Sequence, residues 1–111
     1  MAKTARTYSN RTLQAIRVLA TQIQLARKQH RWTEAELAER AGASRSTIRM
    51  IEDGNPATGL GLYFEVATLL GISLYDADSQ KLTDIQHTLD LKLALLPSRI
   101  DKHRGEVFDD F

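Results

Sequence analysis

Trp32-Thr33-Glu34-Ala35-Glu36-Leu37-Ala38-Glu39-Arg40-Ala41-Gly42-Ala43-Ser44 is the stretch that decides the fold of this chain. Thr33 and Glu36 have the spacing of a capping box, in which each side chain satisfies a backbone amide left open at a helix start. Trp32 and Leu37 stand at the two ends of a hydrophobic staple. The helix so opened runs about two turns, to Gly42, whose tolerance of positive φ suits a sharp turn. Ser44 then supplies an N-cap for a second helix, Arg45 to Asp53, and Gly54 stops it. Two short helices joined by a tight turn containing Gly form the geometry that holds a second helix out toward a DNA major groove.

Upstream, residues 1 to 10 are polar with no apolar period and read as a flexible basic arm carrying Lys3 and Arg6. Ser9 or Asn10 caps a first helix from Arg11 to Gln29, in which Leu13, Ile16, Leu19, Ala20, Ile23 and Ala26 form one apolar stripe. His30-Arg31 ends it. Downstream, Gly54 to Gly61 is a loop, and residues 72 to 76 alternate so weakly that they read either as a last helix turn or as a short strand. From Ser79 to Leu96 a further helix is predicted, with Leu82, Ile85, Leu89, Leu93 and Leu96 on its apolar face and Pro97 ending it. That face packs either on the outside of the first helix or on a second copy; a two-fold protein reading paired half-sites favours dimerisation. The chain thus divides into the arm, a DNA-binding domain over 11–75, a dimerisation helix within 76–97 and an acidic, aromatic tail over 98–111.

The outward face of the second short helix carries the candidate chemistry. Ile48 and Ile51 supply its buried side, leaving Arg45, Ser46, Arg49 and Met50 outward or on the flanks. Arg45 sits at the first helical position, where the helix dipole disfavours a cation. Arg49 lies four residues on, where like charges repel by about 0.2–0.5 kcal/mol. Groups placed where they weaken the free helix make sense if a ligand compensates, and guanidinium forks match guanine O6 and N7 or phosphate oxygens. The bland alternative is that Arg49 pairs with Glu52 or Asp53 on a solvated face. Ser46 and Thr47 either reach a phosphate or base edge or cap their own backbone. Trp32, from its staple position, is expected in the core rather than as a base-stacking platform.

Composition agrees with this division. Among the 111 residues, 15 are Lys or Arg and 14 are Asp or Glu, for a net charge of +1. Residues 1–50 carry ten basic and three acidic side chains, whereas residues 51–111 carry five basic and eleven acidic ones, so a front of +7 precedes a rear of −6. A basic front suits a polyanion. The length fits one core without staples, and the lack of Cys excludes disulfides, Cys-based zinc sites and thiol nucleophiles. His30, His87 and His103 show no ligand spacing, and there is no phosphate loop, nucleophile motif or catalytic carboxylate pair, so neither an enzyme nor a cofactor or metal is expected. With no apolar run near the roughly 20 residues of a membrane span and no secretion signal at Met1 to Thr12, a cytoplasmic protein is expected, associated with the nucleoid when bound to DNA.

Thr33-Glu-Ala-Glu-Leu-Ala, Gly42-Ala-Ser, Ile48, Ile51-Glu52-Asp53-Gly54 and Leu69-Leu-Gly-Ile-Ser73 resemble the helix-turn-helix domain of the Cro and lambda-repressor type, the Xre family, over about residues 18 to 74. The resemblance implies an all-α, five-helix bundle whose second and third helices form the DNA-reading unit, with a fourth helix near Leu60 to Leu70. The C-terminal helix and tail then follow. DNA contacts are expected from Arg45, Ser46, Arg49, Thr47, Ser44 and Thr33 within the domain, and from Lys3 and Arg6 on the basic arm outside it. Where the family commonly has a phosphate-bonding Gln after the first Thr, this chain has Glu34, which would repel a phosphate. The layout beyond residue 73, with Val107, Phe108 and Phe111 in the tail, resembles HipB-like antitoxins, which repress their own operon and whose partner is a HipA-like kinase toxin. On that resemblance Phe108 and Phe111 bind the partner. They would otherwise fold back over the C-terminal helix. A stand-alone phage or chromosomal repressor shares the layout, with the C-terminal region serving only to dimerise. A protein-interaction module without DNA binding would have no use for Arg45 and Arg49.

Overall fold

A computed structural model describes residues 6–100, and all their regular structure is helical. The elements are α1 (Asn10–Gln29), α2 (Glu34–Ala41), α3 (Arg45–Glu52), α4 (Leu60–Leu69), a 3-10 turn at Leu74–Asp76 and α5 (Ser79–Ala94). The chain forms two compact units, one ending at Asp76 and the other beginning at Ala77. Lys3, Phe108 and Phe111 lie outside the described residues.

Local signals set the helix ends of the first unit. Ser9 caps α1, accepting from the Thr12 amide at 3.2 Å, so helix begins at Asn10, one residue before the expected Arg11. Arg31 turns the chain with φ 60°. The capping box on α2 is complete: Thr33 Oγ1 accepts from the Glu36 amide at 3.0 Å, and the Thr33 amide donates to Glu36 Oε1 at 2.9 Å. Gly42 follows in the left-handed region with φ 67°, where a Cβ would be strained. Ser44 caps α3 through the Thr47 amide at 3.1 Å.

The core of this unit gathers one face from each of its four α-helices. Ile23, Leu37, Ile48, Ile51 and Val66 are fully buried, and Trp32 packs at the edge of the cluster. Within the α1 stripe, Ala20 and Ile23 are buried, but Leu13, expected to face the core, is exposed at the helix start. Tyr63 Oη donates to the Asn55 carbonyl at 2.8 Å, tying α4 to the loop that leaves α3. Residues 72–76 form no strand. Tyr75 and Asp76 have φ of 57° and 52°, whereas a strand needs strongly negative φ. The resulting 3-10 turn at Leu74–Asp76 closes the first unit.

The second unit holds α5, capped by Asp78 through the Lys81 amide at 2.8 Å. It ends at Ala94, two residues before the expected Leu96, with Pro97 beyond. Its own unit does not cover its apolar side chains: Leu82, Ile85, Leu89, Leu93 and Leu96 are 39, 40, 49, 67 and 58 % exposed.

Candidate nucleic-acid interface

The outward face of α3 is built by the same residues that anchor its inner face. Ile48 and Ile51 are sealed in the core, so helical geometry turns Arg45, Ser46, Arg49 and Met50 to the surface, all of them exposed. At the N-terminus of α3 three hydroxyls converge. Ser44 Oγ lies 3.1 Å from Ser46 Oγ and 2.8 Å from Thr47 Oγ1, so Ser46 and Thr47 are drawn into the cap of their own helix. The Thr33 hydroxyl stands at the matching end of α2, held by its capping box. Arg6 is exposed, its guanidinium 5.6 Å from the Tyr8 ring centroid.

The ion pairs differ from the bland alternative that the sequence left open. Arg49 bonds neither Glu52 nor Asp53; its Nη2 donates to Glu34 Oε1 at 3.2 Å, joining α3 to the first residue of α2. That bond holds the Glu34 carboxyl below its ordinary range against a smaller opposing effect of burial, and attraction from Arg49, Arg27 and Arg45 adds to it. Glu34, expected to repel phosphate, therefore already has a cationic partner within the protein.

Glu52 is occupied elsewhere, by a residue to which the sequence reading gave no role. Arg27 Nε and Nη2 donate to Glu52 Oε2 and Oε1 at 2.6 and 3.0 Å, and Nη1 donates to the Trp32 carbonyl at 2.9 Å. The two side chains are only 11 and 5 % exposed. One guanidinium thus binds the end of α1, the lead-in to α2 and the last residue of α3 together. A signal existed: Arg27 continues the buried spacing of Ala20 and Ile23, and a charge on that stripe needs a partner. Trp32 is clamped as well, with the Arg40 guanidinium 4.2 Å from its ring centroid and His30 tilted against it at 4.8 Å.

A capped helix, a left-handed glycine turn and a core-anchored second helix presenting two arginines outward define a helix-turn-helix DNA-binding protein. A helix-turn-helix family model (HTH_3) matches residues 23–76. The antitoxin HipB of Escherichia coli O6:H1 is 32 % identical over 62 residues, which cover 56 % of this chain and 66 % of that protein. HipB of Escherichia coli K12 is also 32 % identical, with 70 % of its length covered. Among solved structures, a complex of a HipB variant with an O2 20mer matches 69 % of this chain and 99 % of its own at 30 % identity and a TM-score of 0.51. A HipA-HipB-O2-O3 complex matches at 29 % identity, covering 68 % of this chain and 99 % of its own, with a TM-score of 0.50. The chain belongs to the Xre-type helix-turn-helix family, in its HipB-like group.

Among the described residues no helix is long and apolar enough to cross a membrane.

Proposed function

We propose that this chain is a sequence-specific repressor that binds an operator in its own promoter and acts as the antitoxin of a HipA-like kinase toxin. The observation that carries the reading is the exposure of Arg45 and Arg49 on a helix whose opposite side is locked in the core by Ile48 and Ile51. Arg45, Ser46 and Arg49 face the groove, with Ser44, Thr47 and Thr33 near the phosphates and Lys3 and Arg6 following the backbone from the arm. The role is binding and regulation, without catalysis, in the cytoplasm. Likeness to HipB, which has been solved together with HipA, supports the toxin partner.

The chain acts as a homodimer, in which the apolar side of α5 formed by Leu82, Ile85, Leu89, Leu93 and Leu96 is covered by its copy. That nothing in their own unit covers these five side chains supports that arrangement. Phe108 and Phe111 engage the toxin, as two aromatic rings in an acidic segment would suit a basic, apolar slot.

The test joins both halves of the reading. The chain is expressed together with the reading frame beside it, purified by a tag on the neighbour, and footprinted on the DNA upstream of the pair. A kinase-like neighbour that co-purifies, with a protected upstream site, is the expected result. Protection without co-purification leaves a stand-alone repressor, and absence of protection overturns the DNA-binding half.

A further inference from the structure

The bond between Glu34 and Arg49 has a geometry that goes beyond neutralising two surface charges. Arg49 gives one N–H of Nη2 to the carboxylate at 3.2 Å, and the second N–H of Nη2, which can pair with Nε or Nη1 to form a fork, has no protein acceptor among the described residues. The side chain remains 59 % exposed while Glu34 is 26 % exposed, so the bond leaves Arg49 largely open to solvent. An exposed pair of this kind contributes little to stability, since solvent screens it and two long side chains must be ordered to form it. Its effect lies in that ordering. An unbraced Arg samples many rotamers, and fixing one before the ligand arrives removes part of the entropic cost of binding.

Resting on the DNA-binding reading above, we propose that Glu34 is a positioning residue for base recognition: it braces Arg49 across the helix-turn-helix so that the remaining guanidinium edge meets a pair of acceptors such as guanine O6 and N7. The same carboxylate disfavours phosphates nearby, so Glu34 gives up general affinity for DNA and raises discrimination. Its placement at the first residue of α2, opposite the fifth residue of α3, makes the brace an interaction between the two helices of the unit.

The experiment uses a duplex recovered by selection from a random pool and its scrambled counterpart, with binding to both measured for the full chain and for Glu34→Asp, Glu34→Gln and Arg49→Gln. Asp keeps the charge but shortens the reach. Bracing predicts that Asp and Gln both lower the ratio of selected to scrambled affinity roughly tenfold, toward the low end of what one good bidentate contact is worth. Only Gln should also tighten binding to the scrambled duplex. In the Arg49→Gln background neither change should move the ratio. A Glu34→Asp variant that discriminates like the parent would overturn the proposal, as would a loss that persists without Arg49. If the parent chain itself prefers neither duplex, the DNA-reading function fails first and takes the brace with it. Thermal melting of each variant guards the comparison, since Glu34 is outside the capping box and its loss should leave the fold intact.

Discussion

Arg27 and Glu52 meet through two parallel hydrogen bonds, of 2.6 and 3.0 Å, although 25 positions separate them in the chain. A bidentate pair with both side chains nearly sealed from solvent is costly to break from one side, because the remaining charge is left buried.

Arg27→Met should therefore destabilise the first unit by about 3–5 kcal/mol, the range expected for an orphaned buried charge. Glu52→Leu should cost a similar amount. The double variant should recover much of the loss, since two apolar side chains can replace the pair. Urea denaturation followed by circular dichroism would measure all three, and strictly additive losses would show that the pair is not coupled.

Glu36 offers a test by pH. Hydrogen bonds from the Thr33 amide, and secondarily from its hydroxyl, hold its carboxyl below the ordinary range. A depressed folded-state pKa means that the stabilisation is fully present above the unfolded value and is lost as pH falls through the folded one. Glu36→Gln keeps an acceptor for the capping box but has no titration there. Its melting temperature should fall less steeply than the parent's on acidification below the usual carboxylate range; identical slopes would remove Glu36 as a source of acid sensitivity.

Arg45 should separate reading from positioning. Arg45→Ala is expected to lose about 1–3 kcal/mol of discrimination between a selected duplex and its scrambled form if Arg45 meets a base. Equal weakening on both sequences would assign it to phosphate instead.

For the second unit, Leu89→Asp places a charge in the middle of the exposed side of α5. Sedimentation should show the dimer separating, and binding to a full operator should weaken far more than binding to one half-site. A variant that sediments as a dimer would move the two-fold contact away from this helix.

The parts of this molecule legible in its sequence are those governed by neighbours along the chain. Thr33 with Glu36, Gly42, Ser44 and Gly54 act within one turn, so α2 and α3 could be bounded almost to the residue. Periodicity likewise set α5 apart, although its Asp78 cap went unread. What escaped depended on packing. Arg27 reaches Glu52, and Arg49 reaches Glu34 rather than the nearer Glu52 or Asp53, only once α1, α2 and α3 have docked. The left-handed Tyr75, directly before Asp76, is similarly set by context, since Asp tolerates that region but a bulky Tyr seldom enters it. In the candidate interface the identity of the outward residues could be read, but not which of them another side chain already held.

The two sides of α3 also bear on how such a protein changes over time. Ile48, Ile51 and Glu52 fasten the helix in the core, while Arg45, Ser46, Arg49 and Met50 are at the surface, where only Ser46, at the helix cap, and Arg49, bonded to Glu34, also touch the scaffold. Substitutions at the four outer positions leave the buried core untouched, so a new sequence preference is expected to arise with little loss of folding between the old and the new. Glu34 is the exception. It belongs to another helix yet holds one of the four, so a lineage that exchanges Arg49 inherits an idle carboxylate beside the DNA, and the two positions are expected to drift as a pair.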